Sequence, residues 1–207
     1  FMRVDILGVG FDNVTMDQAV AEGLRLMSAE GAHYVATPNP EIVEVCREDP
    51  EARAAVNGAD LVIADGVGVI YGAKLLGTPL KERLPGIEFA KRLMAEMAKN
   101  GKKLYLLGAK PGVAEEAARR LRTQYPGLVI AGTHDGYFQE DGPVTEAIRG
   151  SGADVVFVCL GAPKQEKWMR KNGEATGAHL LVGLGGCLDV FSGAVQRAPE
   201  VFQRLGL

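Results

Sequence analysis

The chain is poor in the features that would fix its chemistry at once. Its three cysteines, Cys46, Cys159 and Cys187, are odd in number, far apart, and form no CxxC pair. That argues against a zinc site or a dithiol redox motif and fits a reducing, cytoplasmic compartment. The three histidines, His33, His134 and His179, are scattered, with no HExxH spacing, so no metal centre is expected. There is no GxSxG nucleophile elbow, no GK[ST] phosphate loop and no DxD pair. Basic residues are not in excess: 23 Lys and Arg face 26 Asp and Glu, a net charge of −3. Bulk charge therefore gives no pointer to nucleic acid. No apolar run approaches the ~18 residues of a membrane span, and no signal-like segment is visible.

What is present is ordinary for a soluble globular protein, with 47% hydrophobic and 24% charged residues in 207. Glycine is abundant at 27 residues, which suggests tight turns and close backbone approaches. Apolar runs of strand type alternate with helical patterns. Strands are expected at 4–9, 33–37, 61–64, 103–108, 128–134, 154–161 and 179–185. Helices are expected at about 16–29, from Pro40, at 66–76, 86–99, 112–124, 143–150 and 163–172, and from 187. This alternation predicts an α/β, Rossmann-like fold: a mainly parallel sheet with helices on both faces. Residues 2–207 are expected to form a single domain, with a division of the sheet near residue 100 as an option. GTPLKERLPG (77–86) reads as an exposed loop.

Ligands of open α/β sheets bind at the carboxyl ends of strands, and several strand ends here carry polar side chains. LVIADG (61–66) puts Asp65 directly after an apolar run. Asp65 is open to two readings, a cap on the helix that follows or a ligand-facing carboxylate. VATPNPE (35–41) puts Thr37 and Asn39 in a proline-stiffened turn, where Asn39 also suits a local cap. LYLLGAKPG (104–112) brings Gly108 to a strand–turn–helix junction whose free amides suit a phosphate. THDGYF (133–138) offers Tyr137 and Phe138 as stacking faces or as core. GAPKQEKW (161–168) places Gln165 in a first helical turn facing the strand ends, with Lys164, Glu166 and Lys167 expected on a solvated face and Trp168 in packing. GLGGCLD (183–189) resembles a dinucleotide fingerprint but has Leu188 where the third glycine is required. Gly183, Gly185 and Gly186 there allow close approach to a ligand, while Asp189 divides between capping and binding.

Taken in order, TPNPEIV, ADGVGV, RLPGIEF, YLLGAKPGV, HDGYF, GAPKQE and GGCLDVFSG resemble the WecG/TagA/CpsF glycosyltransferase family, TagA-type members most closely. The resemblance runs across nearly the whole chain. It implies a Rossmann-like fold and inverting, metal-independent sugar transfer from a UDP-sugar to a lipid-linked acceptor, with no cofactor. For TagA-type members the donor is UDP-N-acetylmannosamine. The acceptor is N-acetylglucosamine on undecaprenyl diphosphate, joined through a β-1,4 bond in wall teichoic acid synthesis. By motif match Asp65 is the catalytic base, and Thr37, Asn39, Arg83 and Gln165 line the site. Tyr137 and Asp189 contact the nucleotide, and Gly108, Gly185 and Gly186 shape its turns. Gly66 and Gly68 are expected to leave room for the sugar beside Asp65. Family members usually continue beyond the RAP at 197–199 with an Arg-rich, apolar segment thought to dock on the cytoplasmic face of the membrane. Its absence implies a shortened catalytic domain with exposed apolar surface, prone to self-association.

Overall fold

The computed structural model describes residues 1–196. The chain opens with a hairpin, β1 (Arg3–Ile6) and β2 (Val9–Asp12), antiparallel and separate from the main sheet. This corrects the single strand expected at 4–9. Leu7 and Gly8 both take positive φ, 52° and 95°, and a two-residue turn of that hand reverses the chain. The hairpin is fastened by Asp12. Its Oδ1 lies 3.3 Å from Arg3 Nε, and its Oδ2 accepts the Val62 amide at 2.7 Å.

Helix α1 (Met16–Ser28) follows, started by a reciprocal Thr15–Gln18 capping box. Then come β3 (His33–Ala36), α2 (Pro40–Glu48), α3 (Pro50–Asn57), β4 (Leu61–Val62), α4 (Val67–Leu75) and α5 (Gly86–Asn100). Asp49 ends α2 and caps α3, and Pro50 opens the new helix. The second half is β5 (Lys103–Gly108), α6 (Val113–Gln124), β6 (Val129–His134), α7 (Asp141–Ser151), β7 (Val155–Cys159), α8 (Lys164–Asn172), β8 (Leu180–Gly183) and the short α9 (Cys187–Phe191).

Six strands form one continuous parallel sheet in the order β4-β3-β8-β7-β5-β6, without the division near residue 100. Successive residues of a strand point to opposite faces, and both faces are covered. Val35, Leu106, Phe157 and Val182 pack against α1, α5, α6 and α9. Tyr34, Leu107, Val156 and Leu181 pack against the hairpin, α2, α3, α4, α7 and α8. Strands buried on both faces explain the near-continuous apolar runs. A wholly buried side chain such as Phe157 contributes roughly 1.5–3 kcal/mol.

The 77–86 segment is tied down rather than simply exposed. Leu80 and Leu84 are buried. The Lys81 amide donates to Asn13 Oδ1, and Glu82 accepts from the Met16 amide, at 2.8 and 2.9 Å.

Candidate active site

The carboxyl ends of the strands frame two adjoining cavities. The larger, about 520 Å³, lies over β3, β4 and β8 and is walled by Thr37, Asn39, Asp65, Gln165, Gly185 and Gly186, with Glu41, Ile87 and Cys187. The second, about 330 Å³, lies over β5, β6 and β7 and is walled by Ala109, Lys110, Gly136, Tyr137, Lys164 and Asp189. The consecutive residues Asp189 and Val190 of α9 face one cavity each.

Asp65 is an anchored carboxylate. Its Oδ1 accepts the amide of Gly86 at 2.9 Å, the first residue of α5. The helix immediately after it, α4, has Gly66 at its cap and no side-chain cap. Asp65 is therefore a cap of sorts, for a helix that begins 21 residues further on, while also lining the larger cavity. The Leu84 amide donates to Ala64 O at 2.8 Å, so the 84–86 backbone runs beside Asp65. Arg83, half-buried at the start of this stretch, walls neither cavity.

The glycines after Asp65 serve a different purpose from the one expected. A Cβ on Gly66 would stand 2.9 Å from Pro40 Cδ, and one on Gly68 would stand 2.7 Å from Pro40 Cγ. The space they leave is filled by Pro40, which brings the starts of α2 and α4 together. Asn39 caps α2, accepting the Ile42 amide at 3.1 Å, and lines the cavity as well. Thr37 Oγ1 donates to Gly183 O at 2.7 Å, stitching the ends of β3 and β8.

Gln165 is 3% exposed, and its Oε1 accepts the Gly185 amide at 3.0 Å. That amide is consumed by the fold, as are those of Leu184 and Cys187. Gly185 and Gly186 thus contribute a close-lying wall. Gly108 is fixed by geometry. With φ 136°, its Cβ would fall 2.2 Å from Cys159 O, so only glycine fits. It sets the turn that presents Ala109 and Lys110 to the second cavity.

Tyr137 and Phe138 divide. Tyr137 is 68% exposed at the cavity wall. Phe138 packs edge-on to His134 and Trp168, with ring centroids at 5.8 and 6.4 Å. Trp168 is buried, as expected.

Sequence reasoning missed three groups. Lys110 and Lys164 supply positive charge to the second cavity. The signal for both was their place two or three residues past a glycine at a strand end, Gly108 and Gly161. Glu166, expected on a solvated face, is 2% exposed. Burial pushes its carboxyl up to about 7. Among the described residues, no group of His, Cys, Asp or Glu is arranged to hold a metal, and no helix is long and apolar enough to cross a membrane.

A parallel sheet with its cavities at the strand ends suits sugar-nucleotide chemistry, and comparison with known proteins makes the class definite. The WecG/TagA/CpsF family of glycosyl transferases matches residues 4–207, and the chain belongs to this family. Among its relatives is the N-acetylglucosaminyldiphosphoundecaprenol N-acetyl-beta-D-mannosaminyltransferase of Staphylococcus aureus (strain NCTC 8325 / PS 47), 36% identical over 208 residues. The alignment covers 99% of this chain and 82% of that enzyme. The protein of the same name from strain MRSA252 is similar to the same extent.

Proposed function

We propose that the chain transfers N-acetylmannosamine from UDP-N-acetylmannosamine to the 4-hydroxyl of N-acetylglucosamine on undecaprenyl diphosphate. The product bond is β-1,4, formed with inversion and without a metal, early in wall teichoic acid linkage-unit synthesis. The observation that carries this reading is an anchored carboxylate in the larger of two adjoining cavities, in a chain 36% identical to enzymes named for that reaction.

Inversion is a single displacement. Asp65 takes the proton from the acceptor hydroxyl as its oxygen bonds to the anomeric carbon. The bond from that carbon to the diphosphate breaks, and UDP leaves with the electron pair. A positioned base typically contributes ~10²–10⁴ in rate. The Gly86 amide fixes one carboxylate oxygen and so orients the carboxylate in the cavity for the proton transfer. Thr37, Asn39 and Gln165 hold the sugars around it. The growing charge on UDP is met by Lys110 and Lys164, since fixed cations aimed at developing charge lower the barrier. Tyr137 offers a ring to the uracil and Asp189 a carboxylate to the ribose hydroxyls. A lipid-linked acceptor places the reaction at the cytoplasmic membrane surface, with the protein peripheral to it.

The test is transfer by the chain extended to its relatives' length, offered UDP-N-acetylmannosamine, UDP-N-acetylglucosamine and UDP-glucose with an N-acetylglucosaminyl diphospholipid. A β-1,4-linked N-acetylmannosamine product, formed at the same rate in EDTA, is expected. Preferred use of another donor, or loss of the rate in EDTA, would contradict the corresponding part of the proposal.

A further inference from the structure

We infer that a third cavity, beside α9, holds the diphosphate of the lipid-linked acceptor on Lys91, Arg119 and Arg120. The inference rests on the proposed transfer and adds a place for the acceptor's charge.

The cavity is about 460 Å³ and is walled by Lys91 of α5, Arg119 and Arg120 of α6, and Val190 and Phe191 of α9. Two elements lead to it from the larger cavity. Val190 belongs to the walls of both. On α5, Ile87 faces the larger cavity and Lys91 the third. Residues four apart share a helix face, about one 5.4 Å turn along. The same helix begins at Gly86, whose amide anchors Asp65.

The cations are arranged rather than scattered. Arg120 Nε donates to Glu116 Oε1 at 3.1 Å. Its guanidinium lies against the turn after α9, since a Cβ on Gly193 would stand 2.5 Å from Nη1 and 2.6 Å from Cζ. Among the described residues, Nη1 and Nη2 of Arg120 meet no acceptor, so they are open to a ligand. Arg119 uses Nε and Nη2 on the same carboxylate, and Lys91 Nζ lies 3.9 Å from Glu88. Three cations therefore face the cavity, and Glu116 bonds to two of them. The planar fork of arginine suits phosphate oxygens.

The reaction needs such a place. It carries two diphosphates, one leaving on UDP and one joining the acceptor sugar to its lipid. Like charges repel, so each requires its own cations. Lys110 and Lys164 face the second cavity, assigned above to UDP. The larger cavity has no lysine or arginine in its described wall, and it holds the carboxylates of Asp65 and Glu41. One sugar ring separates the acceptor's 4-hydroxyl from the diphosphate on its anomeric carbon. With that hydroxyl at Asp65, the diphosphate falls just outside the larger cavity. Asp189, Val190 and Phe191 of α9 touch all three cavities between them.

The test is calorimetric binding, without donor sugar, on the chain at its relatives' length. The probes are UDP and an N-acetylglucosaminyl diphospholipid with a soluble farnesyl chain. Lys91→Gln combined with Arg120→Gln is expected to raise the Kd of the diphospholipid at least about tenfold, with the Kd of UDP within about twofold of wild type. Lys91→Gln alone leaves the Glu116 cluster intact and is expected to raise it about threefold. Unchanged diphospholipid affinity in folded variants, or an equal loss of UDP binding, would overturn the inference. Flotation with phosphatidylglycerol vesicles separates the acceptor from bilayer headgroups, and the double variant is expected to float like the wild type. Lost flotation with unchanged diphospholipid affinity would assign the cations to headgroups and overturn the inference as well. A wild type that binds the diphospholipid, with the expected losses in the variants, yet transfers no sugar to it would contradict the functional reading and leave the diphosphate site standing.

Discussion

Asp65 shows how a single side chain joins fold to site. Its place after a short apolar run was legible from sequence, as were Thr37, Asn39 and Gln165, because a polar residue at the end of a buried strand has few other places to go. Its partner was not legible. The amide it holds belongs to Gly86, and nothing local in ADGVG announces a contact across twenty residues. Glu166 was misread for the opposite reason. Lysines at 164 and 167 suggest a wet helix face, yet residue 166 points elsewhere on the helix and is buried. A stability prediction follows. Burial holds the Glu166 carboxyl up at about 7 in the fold, against 4.5 for an exposed glutamate. A raised carboxyl favours the protonated form, so stability is full below the unfolded value and is lost as pH rises through the folded one. The gap corresponds to roughly 3 kcal/mol by pH 8. Glu166→Gln should therefore raise Tm at pH 8 and change it little at pH 5, as followed by circular dichroism. The residue is thus expected to weaken the fold above neutral pH.

At the scale of elements, periodicity located the six strands of the sheet and most helices, but it gave one helix from Pro40 where α2 and α3 are two, broken at Asp49 and Pro50. It failed at the start, where 4–9 is two strands and a turn. The cause is Leu7, a residue that rarely takes positive φ and gives no turn signal of the Asn-Gly kind. Glycine-rich turns were recognised as important, but their reasons differ from one to the next. Gly66 and Gly68 admit Pro40, whereas Gly108 meets a neighbouring strand end. Gly108→Ala should be the harshest of the small changes here. It combines a φ that alanine avoids with a Cβ 2.2 Å from a backbone oxygen, and it should cost at least about 3 kcal/mol by urea unfolding. Gly112→Ala, with φ 90° but nothing within 4 Å, should cost clearly less.

For the whole molecule, the sheet order brings strand ends far apart in sequence into one row, which no local pattern reveals. That row sets two cavities side by side, one with the carboxylates of Asp65 and Glu41, and one with two lysines, Asp189 and an exposed tyrosine. Outside them, Tyr71, Leu75 and Leu76 on and just after α4 are 65%, 89% and 51% exposed. Apolar surface of this kind favours association. Sedimentation should show concentration-dependent self-association that Leu75→Glu reduces, and identical behaviour of the two proteins would count against this face. The proposed transfer divides labour between the two cavities: the nucleotide would be held in one and the proton taken in the other. Asp65→Asn separates them, since the amide keeps the shape and an acceptor for Gly86 but cannot serve as the base. Calorimetric UDP binding and transfer rate should be measured on the same preparation at the relatives' full length. The account predicts UDP affinity within about twofold of wild type and a rate lower by ~10²–10⁴. A rate near wild type, or a parallel loss of UDP binding, would contradict it.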